Sequence, residues 1–523
     1  MPEDQEQPNR SPGNRKLLIA YLLAALSAPV TVLAFPDFDW SELAWFSLVP
    51  LLVVLPELSP RAVFGVGYFW AVLYYHGMIY WLYPVTGLGA FLLILLYATF
   101  HAILFWFFKK CHQWRSDAAW IVVPFAWAAM EMIEAADVFC CFPWCLLGYS
   151  QVKNIPLLQV CSVTGVFGLG FLLVGANAGL AFWIRRIFFG EQVEMRRATA
   201  VTVAFGLLLV GVSLWGKIRI QQTNSGETVK VALLQGNYDH LYKWSGMSMA
   251  DILNTYEGLS LSAGKDSPDL VIWPETAIPA EVLESRNLKT KLQGIVRKTG
   301  AYSLVGALRT PTGDKTVPPY NSAILFAPDG SPTNQEYYKR HLVPFGEYVP
   351  FKKILFFVDI VSAGASEFSM GRRDTVFEVP YRSGRPVRFG VITCYESGFP
   401  SMSRDYVDRG AEFLVNITND AWYGMTSMPY QHGAIATVRG VENGVPLLRS
   451  ANTGLTIWTD AFGRVQSVLD REGQSLFVRG YLVAEPKLGK LTTFYNRFGN
   501  VFGWGCLVVT VGVGLAIRIQ INA

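Results

Sequence analysis

Apolar positions crowd into the stretch before Gly216 and again after Phe498, and between these points short apolar runs alternate with polar turns. A helix needs about 20 apolar residues to cross the hydrocarbon core of a bilayer. Runs at 17–35, 62–83, 88–108, 118–134, 163–184, 198–216 and 499–517 come near that length, and each predicts a membrane helix. An eighth run, LAWFSLVPLLVVLP at 43–56, is shorter and crosses only with Trp45 anchored at the interface. The stretch FCCFPWCLLG at 139–148 is too short to cross and reads as a loop lying in the interface. The first run is longer than a signal-peptide core and no small-x-small cleavage site follows it, so it is expected to stay as an anchor.

From Thr228 the period changes. Runs rich in β-branched residues at 229–235, 270–273, 302–308, 322–327, 387–393 and 412–418, most of them bounded by Gly, Pro, Asn or Asp, predict strands. Helical stretches follow at 248–263, 285–299 and 427–444. Strands alternating with helices imply a layered α/β domain. The expected organisation is a polar tail at 1–16, seven membrane helices over 17–216 and a soluble domain over 217–498 with its core at 228–485. A last membrane helix at 499–517 and a tail at 518–523 complete it.

Composition agrees with this division. The 523 residues are 51% hydrophobic and 16% charged, against about 25% charge in a soluble globular chain, and the mean hydropathy is +0.29. The net charge of +4 is mild. No dense basic stripe with interleaved aromatics occurs, so no nucleic-acid partner is expected. The basic residues set membrane orientation instead. With the N-terminus inside, Arg10, Arg15, Lys16, Arg61, Lys109, Lys110, Arg115, Arg185, Arg186, Arg196, Arg197 and Arg518 fall on the cytoplasmic side, and only Lys153 falls in the short outer loops. That bias places 217–498 outside the cytoplasm. The six histidines show no HxxxH or HxH spacing, so no metal is expected, and no glycine-rich phosphate loop suggests a cofactor.

Of the seven cysteines, Cys111, Cys140, Cys141, Cys145, Cys161 and Cys506 lie in or beside membrane segments, where a thiol is a small apolar filler. Cys394 stands alone in the soluble section, which therefore has no disulfide framework. It ends the run VRFGVITCYE, while Glu275 follows LVIWP and Lys339 lies in YYKRHLVPFGE. A charged residue at the end of a strand tends to face a crevice. Singly, Glu275 reads as a surface carboxylate, Lys339 as a solvated lysine and Cys394 as an inert core thiol. Together they read differently.

The segments WPE (273–275), YKRHLVPFGEYVP (338–350) and GVITCYESGFP (390–400) resemble, in order and in flanking residues, the carbon–nitrogen hydrolase or nitrilase superfamily. The surrounding membrane spans narrow the resemblance to its apolipoprotein N-acyltransferase branch. It implies an αββα sandwich carried on a membrane helical bundle, and a Glu-Lys-Cys triad at Glu275, Lys339 and Cys394. The backbone N–H of Tyr395 is then expected as an oxyanion donor, with Glu347 and Glu396 as supporting carboxylates or buried ion-pair partners. Trp244 resembles a tryptophan on an arm over the site, or anchors at the interface. Trp422 and Tyr423 are expected to wall the pocket or to pack in the core. The apolar stretch 351–369, with Lys352, Lys353, Phe356 and Phe357, reads as an interfacial arm or as a core helix.

The implied reaction moves an acyl chain from a membrane phospholipid to the α-amine of a diacylglyceryl apolipoprotein through a thioester. A membrane-anchored amidase acting on a small soluble substrate would use the same triad but needs one anchor. A catalytically dead transport or lipid-binding protein would carry ionisable groups in its spans, where only Glu131, Glu134, His76 and His101 occur. A reporter fused after Gly216 is expected to read extracytoplasmic and one after Arg185 cytoplasmic. A cytoplasmic signal from 217–498 would overturn the orientation.

Overall fold

The computed structural model describes residues 12–136, 141–191, 193–222, 226–239, 248–310, 316–348, 367–381 and 384–522. Trp244, Phe356, Phe357 and most of the stretch 351–369 lie outside them.

Seven helices among the described residues are long and apolar enough to cross a membrane: Gly13–Val32, Pro60–Leu82, Gly87–Trp114, Ser116–Glu134, Phe167–Phe188, Met195–Arg219 and Val501–Gln520. The run at 43–56 takes another form. Pro50 and Pro56 interrupt it, leaving a 3-10 turn at Ser41–Trp45, a short helix at Val49–Val54 and a second 3-10 turn at Leu55–Glu57. It still runs back beside the first helix. Near one end Asp39 pairs with Lys153 at 2.8 Å, and at the other Glu57 pairs with Lys16 and Arg185, both at 3.0 Å.

A broken helix leaves backbone groups without partners, and lipid supplies none. Neighbouring side chains do. The Asn177 amide donates to the Ala44 carbonyl and accepts from the Leu48 N–H, each at 2.8 Å. Ser27 donates to the Ser47 carbonyl at 2.6 Å, and Gln151 to that of Ser41 at 2.8 Å.

The soluble section forms two sheets. Strands β1 (Val231–Gln235), β2 (Leu270–Ile272), β3 (Ile278–Glu281), β4 (Tyr302–Arg309), β5 (Tyr320–Phe326) and β6 (Pro332–Tyr338) belong to the first. Strands β7 (Val376–Pro380), β8 (Pro386–Thr393), β9 (Phe413–Thr418), β10 (Leu447–Ala451), β11 (Ile457–Thr459) and β12 (Val465–Val468) form the second. Strand β13 (Gly480–Ala484) returns to the edge of the first, beside β1. The central strands β1-β2-β4 and β8-β9-β10 run parallel, β3 also pairs parallel with β4, and the other strands pair antiparallel.

Leu233, Ile272, Leu304 and Leu325 from the first sheet meet Phe389, Val391, Val415 and Leu447 from the second in one buried layer. The opposite face of the first sheet is covered by helices Met249–Gly264 and Arg286–Thr299 through Ile252, Tyr256, Leu292 and Ile295. The second sheet is covered by helices Pro400–Asp408 and Met428–Asn443, and here the bundle adds a further layer. Met402, Ile435, Val438 and Val441 belong to the same apolar core as the membrane helices. Every described residue of Met428–Asn443 except Tyr430 is buried. Its polar side chains therefore face partners rather than water: Gln431 accepts from Trp81 and Trp144 at 3.1 and 2.9 Å, and Glu442 accepts from the Val166 N–H at 3.0 Å.

Strands β3, β6, β7, β10, β11, β12 and β13 lie outside the predicted runs, β6 and β10 for different reasons. β6 (PTNQEYY) is a half-covered edge strand, which tolerates Pro and polar residues. β10 (LLRSA) is wholly buried but contains Arg449, whose charge is met inside the fold.

Replacing Asn177 with Leu would strand the Ala44 carbonyl and the Leu48 N–H, each at a cost of about 1–3 kcal/mol. The purified chain is expected to lose several degrees of thermal midpoint in detergent. An unchanged midpoint would show that the broken segment needs no partner there.

Candidate active site

Three strand ends converge on one buried point. Glu275 lies three residues beyond β2, Lys339 follows β6 directly and Cys394 follows β8. The Lys339 ammonium, 1% exposed, lies 3.2 Å from Glu275 Oε1 and 2.7 Å from Glu347 Oε1. Glu275 also accepts from the Asn321 side chain at 2.7 Å and, through Oε2, from the Asn419 N–H at 2.9 Å. Glu347 is fixed in turn by the Val343 N–H at 2.9 Å. The loop carrying Glu275 presses closely on β4, where a Cβ on Gly306 would fall 2.1 Å from the Pro274 carbonyl oxygen. Only glycine fits there.

Burial by itself pushes the Lys339 ammonium down, but the carboxylates of Glu275 and Glu347 outweigh it and hold the group well above its ordinary value. It stays charged. Burial raises Glu347, with Lys339 opposing and Glu275 adding to the rise. The Cys394 thiol is pushed far up, first by burial and then by the Glu275 charge, with Lys339 pulling the other way. A standing thiolate is therefore disfavoured.

Cys394 occupies the left-handed region at φ 53°, and Thr276 and Phe345 do so at 44° and 61°. A non-glycine residue is held there at a cost of about 1–2 kcal/mol. Such strained positions cluster where the surroundings over-determine a geometry. Two buried groups brace the turn at Cys394. Glu396 accepts from the Thr393, Arg340 and His341 N–H groups at 2.7, 2.6 and 3.1 Å, and from the Tyr337 hydroxyl at 2.8 Å. It thus ties the turn after β8 to the turn carrying Lys339, with backbone amides and a hydroxyl as its partners among the described residues. On the other side, His432 Nε2 lies 3.0 Å from the Cys394 carbonyl oxygen and Nδ1 lies 3.1 Å from Asp420 Oδ1. Asp420 Oδ2 pairs with Arg449 at 2.6 Å. Burial raises this carboxyl, but Arg449 and His432 outweigh it and bring it to about 2.

The thiol opens into a cavity of about 240 Å³ between the soluble domain and the bundle. Its walls are almost wholly apolar and include Trp81, Leu92, Leu96, Phe142, Tyr395 and Tyr423. Leu92 and Leu96 are also among the exposed residues of Gly87–Trp114, at 53% and 43%, so the cavity adjoins the lipid-facing side of that helix. The floor is the loop expected in the interface. The Cys141 carbonyl accepts from the Tyr395 hydroxyl at 2.7 Å, and Phe142 stacks on the Tyr395 ring.

The structure thus brings Glu275, Lys339, Glu347 and Cys394 together and sets Tyr395 and Tyr423 on the cavity wall. Trp422 is half-buried and is not among the residues lining the cavity. Asn321, Asp420, His432 and Arg449 were not singled out from sequence. The one signal for the last three was charge or imidazole inside segments that otherwise read as core.

Two helix-flanked sheets mounted on a bundle of membrane helices define a membrane-bound protein of the carbon–nitrogen hydrolase type. The family model for carbon–nitrogen hydrolases matches residues 230–487, and that for the N-terminal domain of apolipoprotein N-acyltransferases matches 27–179. The chain is 35% identical to an apolipoprotein N-acyltransferase of Geobacter metallireducens over 95% of both chains, and 29% identical to one of Chlorobaculum tepidum over 96% of both. Among solved structures, an amidase from Nesterenkonia sp. is 19% identical over 53% of this chain and 95% of that one, with a TM-score of 0.38. The chain belongs to the apolipoprotein N-acyltransferase family and is a multi-pass membrane protein.

Because the Cys394 thiol is raised, its alkylation by a small neutral reagent is expected to be slow at pH 7. The rate should climb about tenfold per pH unit towards pH 9 without levelling, as it follows the thiolate fraction. A plateau near pH 7 would show a thiol already ionised.

Proposed function

We propose that this chain transfers an acyl chain from a membrane phospholipid to the N-terminal α-amine of the diacylglyceryl-cysteine of apolipoproteins, with a Cys394 thioester as intermediate. The observation that carries the reading is the apolar cavity joining the thiol to the lipid-facing side of Gly87–Trp114. A small soluble amide needs no such route. The names of the relatives support an apolipoprotein as the acceptor of an N-acyl group.

Glu275 takes the thiol proton as sulfur attacks the ester carbonyl. Lys339 has three N–H donors, two of them directed to carboxylates, and the third, with the Tyr395 N–H, meets the developing oxyanion. The C–O bond breaks, Glu275 returns the proton to the departing lysophospholipid, and the thioester remains. The acceptor amine then attacks the thioester carbonyl and gives its proton to Glu275. The C–S bond breaks, and the thiol regains a proton as the amide leaves. Glu347 holds the ammonium through both halves. Apolar walls keep water from the thioester. Trp244, Phe356 and Phe357 are assigned to the approach of the lipid substrates, and the catalytic domain to the periplasmic side of the bacterial inner membrane, opposite the basic end of the bundle.

With phospholipid and no acceptor, intact-mass measurement is expected to find one acyl group on Cys394, discharged by a diacylglyceryl peptide. Cys394→Ala should carry none. Glu275→Gln should load about 10²–10⁴-fold more slowly, the usual worth of a placed base. Full-rate transfer by Cys394→Ala would replace this scheme with direct amine attack on the phospholipid.

A further inference from the structure

We propose that His432 is a positioning residue for the oxyanion site, acting by holding the carbonyl of the peptide unit whose N–H belongs to Tyr395. The inference rests on the acyl-transfer reading above and deepens it. A peptide unit is planar and trans, so its C=O and N–H point in opposite directions. A carbonyl oxygen only accepts, and so does the ionised Asp420 carboxylate, so each ring nitrogen of His432 donates, Nε2 to the Cys394 oxygen at 3.0 Å and Nδ1 to Asp420 at 3.1 Å, with the ring doubly protonated. Burial and Arg449 oppose that charge, and Asp420 and the Cys394 carbonyl support it. Fixing that oxygen towards the helix Met428–Asn443 turns the Tyr395 N–H the other way, to the side of the thiol. The same hydrogen bond polarises the unit and strengthens its N–H as a donor, because hydrogen bonds in a chain reinforce one another.

The imidazole is itself immobilised. Asp420 lies at its Nδ1, Trp144 of the interfacial loop lies beside the ring with centroids 5.2 Å apart, and the side chains of His432, Asp420 and Arg449 are all fully buried. From Arg449 the chain of contacts runs to the Asn416 side chain, which donates to the Ile392 carbonyl at 3.0 Å. The circuit therefore starts on β8, crosses β9 and β10, and returns to the residue that follows β8. Burying this many charges is a poor way to gain stability, since apolar side chains of similar volume do at least as well. What they do not supply is an N–H at the Cys394 carbonyl. A left-handed residue such as Cys394 needs that restraint, since its conformation is not its own preference.

The test uses the full chain in detergent with phospholipid, reading acyl-enzyme formation by intact mass. In His432→Gln the amide nitrogen reaches the place of Nε2 and keeps the N–H to the carbonyl. In His432→Asn it takes the place of Nδ1, keeping Asp420 but losing the carbonyl. His432→Leu fills the volume with no donor and serves if the Asn variant does not fold. The Asn and Leu variants are expected to lose about 10–100-fold in kcat of acylation at unchanged KM, somewhat less than deletion of a whole oxyanion donor. The Gln variant should stay close to wild type. With carbonyl-¹³C-labelled acyl chains, the thioester C=O stretch should move to higher frequency in the Asn and Leu variants and not in Gln, because a misaimed donor polarises the carbonyl less. Wild-type kcat in Asn or Leu, an equal loss in Gln, or an unmoved band would each overturn the inference while leaving the acyl-enzyme reading intact. A wild-type chain that takes no acyl group would overturn both.

Discussion

A fully buried ammonium is the demand around which the soluble domain is arranged. Lys339 keeps its charge because two carboxylates reach it, and those carboxylates keep their places because backbone amides and the Asn321 side chain hold them. The ammonium and its two carboxylates come from the first sheet and its loops, while the Asn419 N–H and Cys394 come from the second, so the whole site exists only when both sheets have formed and faced each other. The same requirement explains the close packing of the Glu275 loop on β4 at Gly306. An unpaired charge in such a place would cost several kcal/mol.

A parallel constraint governs the bundle. Lipid offers no hydrogen bonds, so the broken segment at 41–57 lies beside the first helix only where Asn177, Ser27 and Gln151 answer its backbone groups. The soluble domain meets the bundle under similar terms. Its helix Met428–Asn443 is buried on both sides, and its polar residues bind groups of the membrane-side loops. The result is a thiol seated where an apolar cavity joins a polar site to the lipid-facing surface. Domain and bundle act as parts of one site.

Much of this was legible in the linear pattern because it is local. A run of 19 to 28 residues in each long membrane helix announces itself by length and hydropathy, and β2, β4, β8 and β9 by β-branched runs between turns. The motifs around Glu275, Lys339 and Cys394 were legible because strand ends and their turns are contiguous in sequence. Strand β6 was not, since an edge strand needs no apolar face, and β10 was not, since Arg449 interrupts it. Glu396 could be marked by its nearness to the thiol, yet its direction could not, because two residues along a turn fix proximity and not orientation.

The sequence by itself determined the number and order of the long spans, the uneven distribution of basic residues, the α/β character of the middle section and the three residues of the candidate triad. These depend on composition and on neighbours a few residues apart. Only the tertiary structure decided that Glu347 joins Glu275 on the ammonium, that Glu396 binds backbone amides, and that Asp420, His432 and Arg449 brace the turn at Cys394. It also decided that the cavity at Cys394 opens beside Leu92 and Leu96, some 300 residues away along the chain and outside any local pattern. Such contacts join residues far apart in sequence. Their energy comes from satisfying buried polar groups in three dimensions, and no period of two or 3.6 residues carries that information.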